Sequence, residues 1–552
     1  MKLIFGITLL ATSVFMSCDF TGGDGGSGGR VIEDNENVFE PNSDGISLKF
    51  NRINGPGSLS SVEIIISLSK DSQAILNANP RVSSSKGSLS SVTELGNGLY
   101  RAQLDPDSTG EYPITVSYNG KSVTETPIVL YAVDDALGQP MSVSGYVNTA
   151  GYEDGVTVSP DGEYLFVQTG PHYFMGVFLM QASKANGGCG GAMNRLGGVD
   201  ASYTQCEHTW IDTLIGSYSA PERPGFFSAR FSGGKLLHNS VSWDIANNGS
   251  PNYAMSTMFY GFKRQADGSF KEPFYIAFDD QGDGLINPYG MSFMMNGDGT
   301  ATMTYTFDDP TDPDMVDFDG NGSEDAQSYF DVYTTQIELG KNNILGTFVP
   351  SGTPGTHPVR STPFASQVVN FGKVGIEGLA GTQGNSHLFY NDSKQIQSIW
   401  VDDEFDSGGD HGEISVHVLQ SGSFPDGTWS KVSLPSKINI PGDSDEVQPF
   451  FTGDSLLFTR SGSSNPSIWY SQYSGGHSAS EYANASNWST PVKILAHDPN
   501  LQVGNIITVG EPTVAVYNGK SIVYFVYGYI RGFDAASGLY DVDMQAGYVD
   551  VK

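Results

Sequence analysis

From residue 44 onward the chain alternates short apolar-polar runs with clusters of Gly, Asn, Asp, Ser and Pro. Over 44–132 the runs are ISLKF, VEIIISLS, GLYRAQL, YPITVSY and TETPIVLY, separated by NGPGS, SKGS, DPDSTG and YNGKS. A period of two sends successive side chains to opposite faces, so each run reads as a strand with one buried face. Strands this short, with turns every ~8–12 residues, predict a small antiparallel β-sandwich.

Residues 141–552 carry a degenerate internal repeat. The clearest copy is EVQPFFTGDSLLFTRSGSSNPSIWYSQY, followed by NWSTPVKIL. Others are EDGVTVSPDGEYLFVQ, EGLAGTQGNSHLFYN with QSIWVDD and TWSKVSLP, and EPTVAVYNGKSIVYFVY. Two weaker copies are ERPGFFSARFSGGKLLHNS and NPYGMSFMMNGDGTATMTY. Units of three or four strands, with Asp-Gly and Asn-Gly turns that tolerate positive φ, predict a β-propeller of about six blades. The last unit ends one strand short, at YDVDMQAGYVDVK, and MSVSGYVNTA at 141–150 alternates like a strand. That segment is expected to pair into the last blade and close the ring, which removes exposed sheet edges. The fold expected is therefore all-β: an N-terminal sandwich at 44–132 and a propeller at 141–552.

Three resemblances add to this reading. Ser159-Pro160-Asp161-Gly162, followed by Tyr164-Leu165-Phe166, resembles the WD-like propeller repeat of the TolB type. NGLYRAQLDPDSTGEYPITVSYNGKSV resembles the closing hairpins of bacterial Ig-like domains, which implies a spacer. At the N-terminus, MKLIFGITLLATSVFMSC has one cation, Lys2, an apolar run from Leu3 to Met16, and Cys18 after the small Ser17. The run is short for a membrane span and reads as a secretory signal peptide over 1–17. Its end resembles the lipobox of bacterial lipoproteins, with Phe15 where Leu is usual; this implies that Cys18 becomes a lipidated N-terminus. Residues 18–43, rich in Gly, Ser and acids, read as a flexible tether.

Charge then narrows the partners. Lys+Arg number 28 against 61 Asp+Glu, a formal net charge of −33. Such a surface repels phosphate backbones, which argues against nucleic-acid binding. It also repels anionic lipid, so the expected membrane contact is through the N-terminal lipid alone. Aromatics at 12% exclude a disordered chain, and Gly, 68 of 552 residues, is in excess. The expected location is the bacterial cell envelope, lipid-anchored at the outer membrane.

Candidate chemistry is sparse. Cys189 and Cys206 bracket a Gly-rich segment and suggest a disulfide in an exported protein; the alternative is a metal pair with His208. DFDGNGSED at 317–325 places Asp317, Asp319, Asn321, Ser323 and Asp325 at the calcium-ligand positions of an EF-hand-type loop, with Ser328 where a bidentate Glu is usual. DDQGDGLIN at 279–287 offers a weaker calcium set: Asp279, Gln281, Asp283 and Asn287. Glu153, Glu222, Glu377, Glu446 and Glu511 precede first strands of separate repeats and are expected to line one mouth of the propeller. Two unequal carboxylates there would suit glycoside hydrolysis, whereas an acid recurring at one register is better explained as a repeat feature. WVDDEFDSGGDHGE at 400–413 is the densest polar cluster and reads as an exposed loop, with Asp410 and His411 as its acid–base or metal candidates. Neither a Gly-x-Ser-x-Gly elbow around a plausible nucleophile nor a phosphate-binding loop occurs. The function expected is a non-catalytic binding or scaffold propeller for protein or glycan; the alternative is a glycan-active enzyme using axial carboxylates.

Overall fold

The computed structural model describes residues 45–53, 59–148, 152–170, 231–232, 235–236, 258–279, 289–316, 325–347, 382–391, 393–404, 412–424, 427–441, 445–461, 466–534 and 539–552. These are almost all strand, with one short α-helix, Ala479–Tyr482, among them. None of their helices is long and apolar enough to cross a membrane.

The N-terminal part is two antiparallel sheets over one core. The first runs Gly45–Arg52, Val62–Lys70, Leu99–Asp105, Ser88–Leu89; the second runs Lys121–Glu125, Ile114–Tyr118, Arg81–Ser84. Alternation fixes what is buried: Val62, Ile64, Ile66 and Leu68 from one strand, Tyr100, Ala102 and Leu104 from its neighbour, Ile114 and Val116 from the facing sheet. A one-residue slip would turn each set to solvent, so register is strongly specified.

From Tyr152 onward the described strands form, apart from one two-stranded hairpin, five successive sheets arranged as a propeller-like ring. Their first strands are Tyr152–Val158, Tyr289–Met295, Thr382–Tyr390, Asp445–Phe451 and Ile506–Tyr517, which begin blades I to V. Each first strand touches the next, and the fifth touches the first, so the ring closes on itself. One apolar cluster fills each of the five gaps between blades. The gap between III and IV holds Trp400, fully buried and stacked on Phe451 at 4.3 Å, with Trp488 at its edge. The tryptophans of the repeat are thus core side chains first.

Closure uses the segment between sandwich and ring. Ala132–Val133 pairs with Val492–Ala496 at the rim of blade IV. Met141–Ser142 then pairs with Leu539–Asp550 of blade V, Met141 opposite Tyr548. Asn148 completes the joint: its Nδ2 donates to the Ala546 carbonyl (2.9 Å) and its Oδ1 accepts from the Ala546 N–H (2.8 Å). The 141–150 segment therefore does enter the last blade.

The repeat at 222–240 does not add a sixth blade to the described ring. It falls between the second and third strands of blade I, Tyr164–Gly170 and Met258–Arg264, which pair directly with each other from Tyr164 opposite Lys263 onward. Its two described strands, Phe231–Ser232 and Lys235–Leu236, pair with one another. A hairpin signature registers two strands and a turn, whereas a blade needs outer strands as well, and among the described residues of this stretch there are only these two.

Replacing Asn148 with Ala leaves both polar groups of Ala546 without their side-chain partner. We expect a loss of about 1–3 kcal/mol, read as a lower urea midpoint at unchanged slope; an unchanged midpoint would mean that Asn148 does not hold the closure.

Candidate functional site

All five first strands carry a β-bulge at the same register. One residue in each bulge has positive φ: Gly155 (59°), Gly290 (54°), Asn385 (41°), Gln448 (56°) and Glu511 (53°). A bulge rotates the local backbone out of the ladder, so these residues aim at the ring axis. Gly290 is required by space as well as by φ, because a Cβ there would sit 2.5 Å from Asn385 Oδ1. The other three pay for the left-handed conformation, about 1–3 kcal/mol each.

Hydrogen bonds between blades offset that strain. Glu511 Oε2 accepts from the Gly155 N–H of blade I, and its Oε1 accepts from Gln448 Nε2 of blade IV at 2.8 Å. The Glu511 N–H donates to Gln448 Oε1 (3.1 Å) and to Thr459 Oγ1 (3.0 Å), so Glu511 and Gln448 hold each other reciprocally. Blade III joins through Asp402, 1% exposed, which accepts from the Gln448 N–H and from Asn385 Nδ2. Thr157 Oγ1 of blade I donates to the Met291 carbonyl of blade II at 2.8 Å, and Ser292 Oγ of blade II accepts from the Leu388 N–H of blade III at 3.1 Å. His387 Nε2 of blade III lies 2.9 Å from the Phe451 carbonyl of blade IV, which makes it the proton-bearing nitrogen. Polar contacts therefore run around the whole ring, I to II to III to IV to V and back.

Desolvation sets the charge states. It lowers the His387 imidazole to about 4, so the ring is neutral near pH 7. It raises the Glu511 carboxyl well above the usual range, and the neighbouring Asp154 raises it further by charge and by hydrogen bonding. Two carboxyls this close share a proton more readily than they both ionise. The cavity enclosed by the five bulges is about 40 Å³. That holds a few waters and falls far below the roughly 300–1,000 Å³ typical of ligand pockets.

The acids expected to share one register do not. Glu153 and Glu446 stand two residues ahead of the bulge residue, whereas Glu511 is the bulge residue. Glu446 is fully buried in an ion pair inside blade IV: Arg460 Nε reaches its Oε1 at 2.7 Å, and the Ile440 N–H donates to its Oε2 at 3.1 Å. Glu153 is fully buried near Asp543, a carboxyl that burial pushes up to about 8. Asp402 belongs to the strand Ile396–Glu404 at the axis and not to an exposed loop. Asn385 and Gln448 were absent from the sequence candidates, and Asp402 stood among them only as a member of the polar cluster at 400–413, read as a loop. The signal for Gln448 was available: aligning Val447-Gln448-Pro449 with Gly510-Glu511-Pro512 on the prolines sets Glu511 over Gln448.

Cys18, Cys189, Cys206, Glu222, Glu377, Gln281, Asp283, Asn287, Asp317, Asp319, Asn321 and Ser323 lie outside the described residues. Of the two calcium sets, only Asp279 and Asp325 fall within described strands, at the ends of Phe270–Asp279 and Asp325–Glu338. Among the described residues no three His, Cys, Asp or Glu side chains are grouped to hold a metal.

No family model matches the chain, and no curated protein matches it. Among solved structures it is similar to one described as a glycoside hydrolase, at 8% identity and TM-score 0.32, covering 53% of this chain and 78% of that one. It is similar to an α-L-arabinofuranosidase from Lactobacillus brevis at 10% identity and TM-score 0.29, covering 54% and 84%. The β-propeller domain of the Trilobed protease from Pyrococcus furiosus gives 8% identity and TM-score 0.24, covering 90% and 94%. Likenesses this remote say nothing of function, and the ring stands on its own contacts.

A raised carboxyl stabilises the fold when protonated. The Glu511 contribution is full below the unfolded value near pH 4.5 and is lost as pH climbs through the folded value. The melting temperature of the wild type minus that of Glu511→Gln should therefore fall as pH rises above about 4.5. A flat difference would mean that Glu511 titrates as an ordinary exposed acid.

Proposed function

We propose that this chain is an exported lipoprotein, anchored through Cys18 and held off the membrane by residues 19–43. In this reading an Ig-like sandwich is a spacer, and a five-bladed β-propeller is a non-catalytic scaffold that binds protein or glycan at the cell envelope. The loop at 317–325 belongs to the same proposal as a structural calcium site.

One observation carries the choice of binding over catalysis. Both oxygens of Glu511 accept donors from neighbouring blades, and both of Asp402 are occupied, one by the Gln448 N–H of blade IV and one by Asn385 of its own blade, beside a cavity of about 40 Å³. A hydrolase needs two carboxyls free to reach a glycosidic oxygen and a water or anomeric carbon. Here the acids at the axis hold the ring.

The second reading, a glycan-active enzyme, draws on the unequal pair Asp154 and Glu511: one carboxyl with a raised proton affinity beside another is a known acid–base arrangement. A reducing-end assay over neutral and acidic polysaccharides separates the two. The binding reading expects no turnover above a heat-killed control. Turnover abolished by Asp154→Asn, in a variant that still melts cooperatively, would establish the enzyme instead.

A further inference from the structure

A cavity of about 960 Å³ lies away from the axis, between the sandwich and the rims of blades I and V. Clefts between domains are favoured places for ligands, and this volume is at the top of the usual range of roughly 300–1,000 Å³.

Half of the charged side chains on its walls are already engaged. Arg52 Nη2 donates to the Asp134 carbonyl at 2.8 Å and pairs with Asp135 at 3.4 Å. Arg264 Nε donates to the Gly162 carbonyl at 2.6 Å, and its Nη2 donates to the Tyr524 hydroxyl. Lys552 Nζ donates to the Asp135 carbonyl at 3.2 Å. Asp267 accepts from the Ser269 N–H and from Lys271 Nζ. The charged side chains left over are Lys49, Lys520, Glu125 and Asp550. None of these makes a hydrogen bond or an ion pair with another described residue. Lys49, Lys520 and Asp550 are exposed, and Glu125 is half-buried. Desolvation raises the carboxyls of both Glu125 and Asp550, the second against the pull of Lys520 and Lys49. That direction is expected of acids that have lost water and gained no donor.

Two free cations and two free anions leave the cleft with no formal surplus of either sign. An anion would meet the carboxylates and a cation the lysines, so neither gains the field that a one-signed cleft provides. The ammonium groups only donate hydrogen bonds, and ionised carboxylates only accept them. A matching ligand must therefore donate at some points and accept at others while carrying no charge. Hydroxyl groups do both. The walls also offer partly exposed aromatic rings, Phe50 from the sandwich and Tyr548 from blade V. A flat ring is a surface for the apolar C–H face of a sugar.

We propose that this cleft binds an uncharged oligosaccharide, whose hydroxyls donate to Glu125 and Asp550 and accept from Lys49 and Lys520 while its ring faces pack on Phe50 and Tyr548. Hydrogen bonds to charged groups are the stronger kind, so four free charges can hold a neutral chain firmly. The proposal rests on the binding role given above and names the ligand class and its place.

The test incubates the full-length chain with an array of uncharged gluco-, manno-, galacto- and xylo-oligosaccharides, beside uronate, sulfated and cationic amino-sugar chains. At least one uncharged series should bind, with an affinity that changes less than about two-fold between about 50 and about 500 mM NaCl. Lys49→Ala with Lys520→Ala should weaken it by about ten-fold or more, and so should Glu125→Ala with Asp550→Ala. Melting temperatures should stay unchanged, because none of the four side chains holds another described residue. In the wild type, saturating saccharide should shield the Lys49 and Lys520 ammonium groups from acylation. Binding of no uncharged saccharide, binding of charged chains alone, affinity indifferent to either pair of substitutions, or unshielded lysines overturns the proposal. That failure would leave the binding role to a protein partner, whereas failure of the binding role itself shows as turnover in the reducing-end assay.

Discussion

Closing a ring of sheets requires the last blade to meet the first, and at the axis that meeting is made on one carboxyl group. Glu511 takes the Gly155 N–H of blade I and the Gln448 amide of blade IV, while its own N–H returns to Gln448 and Thr459. An ordinary intramolecular hydrogen bond contributes about 0.5–1.5 kcal/mol net. A left-handed residue costs about 1–3 kcal/mol. Two or more such bonds at Gln448 and at Glu511 are therefore of the size needed to offset the strain of their bulges. The apolar clusters between blades supply the bulk of the cohesion, but they are non-directional. The polar belt at the axis is what fixes blade orientation, because hydrogen bonds demand geometry.

This constraint reaches into function. The cavity beside the five bulges is about 40 Å³ and is braced by its own acids, which is why the proposed binding role looks to the outer surfaces of the ring. The sandwich is held against those surfaces by specific contacts: Arg52 Nη2 reaches the Asp134 carbonyl at 2.8 Å, and Thr109 Oγ1 reaches Asp498 Oδ2 at 3.3 Å. Gly110 packs so closely on Gly504 that a Cβ would lie 2.2 Å from the Gly504 carbonyl oxygen. Docked this tightly, the sandwich becomes one wall of a cleft against the rims of blades I and V.

Much of the fold was legible because strand alternation and turn chemistry are local. The Ser159–Gly162 turn forms as its residues suggest, with Ser159 Oγ donating to Asp161 Oδ1 at 2.6 Å and Gly162 at φ 71°. The closing strand at Met141 was legible because the last unit was one strand short. The blade number, expected at about six, stands at five in the described ring, because the hairpin pattern at 222–240 recurs inside the connection between two strands that pair with each other. The axial site was legible only in part. Glu511 stood out as an acid, but the Glu-rich starts of the repeats aligned it with Glu446, and only the register of the bulges separates them. Asp402 was hidden because its neighbours in WVDDEFDSGGDHGE look like a solvated loop, while burial at the axis depends on a strand two residues from the end of that run of alternation.

The central claim is that Glu511 and Gln448 act together as a brace between blades IV and V. A double-mutant cycle in urea, with Glu511→Ala, Gln448→Ala and the pair, tests it most directly. The account predicts a coupling energy of about 0.5–3 kcal/mol, with the double variant losing less than the sum of the singles. Additive losses would contradict it, because two side chains that do not hold each other have nothing to share.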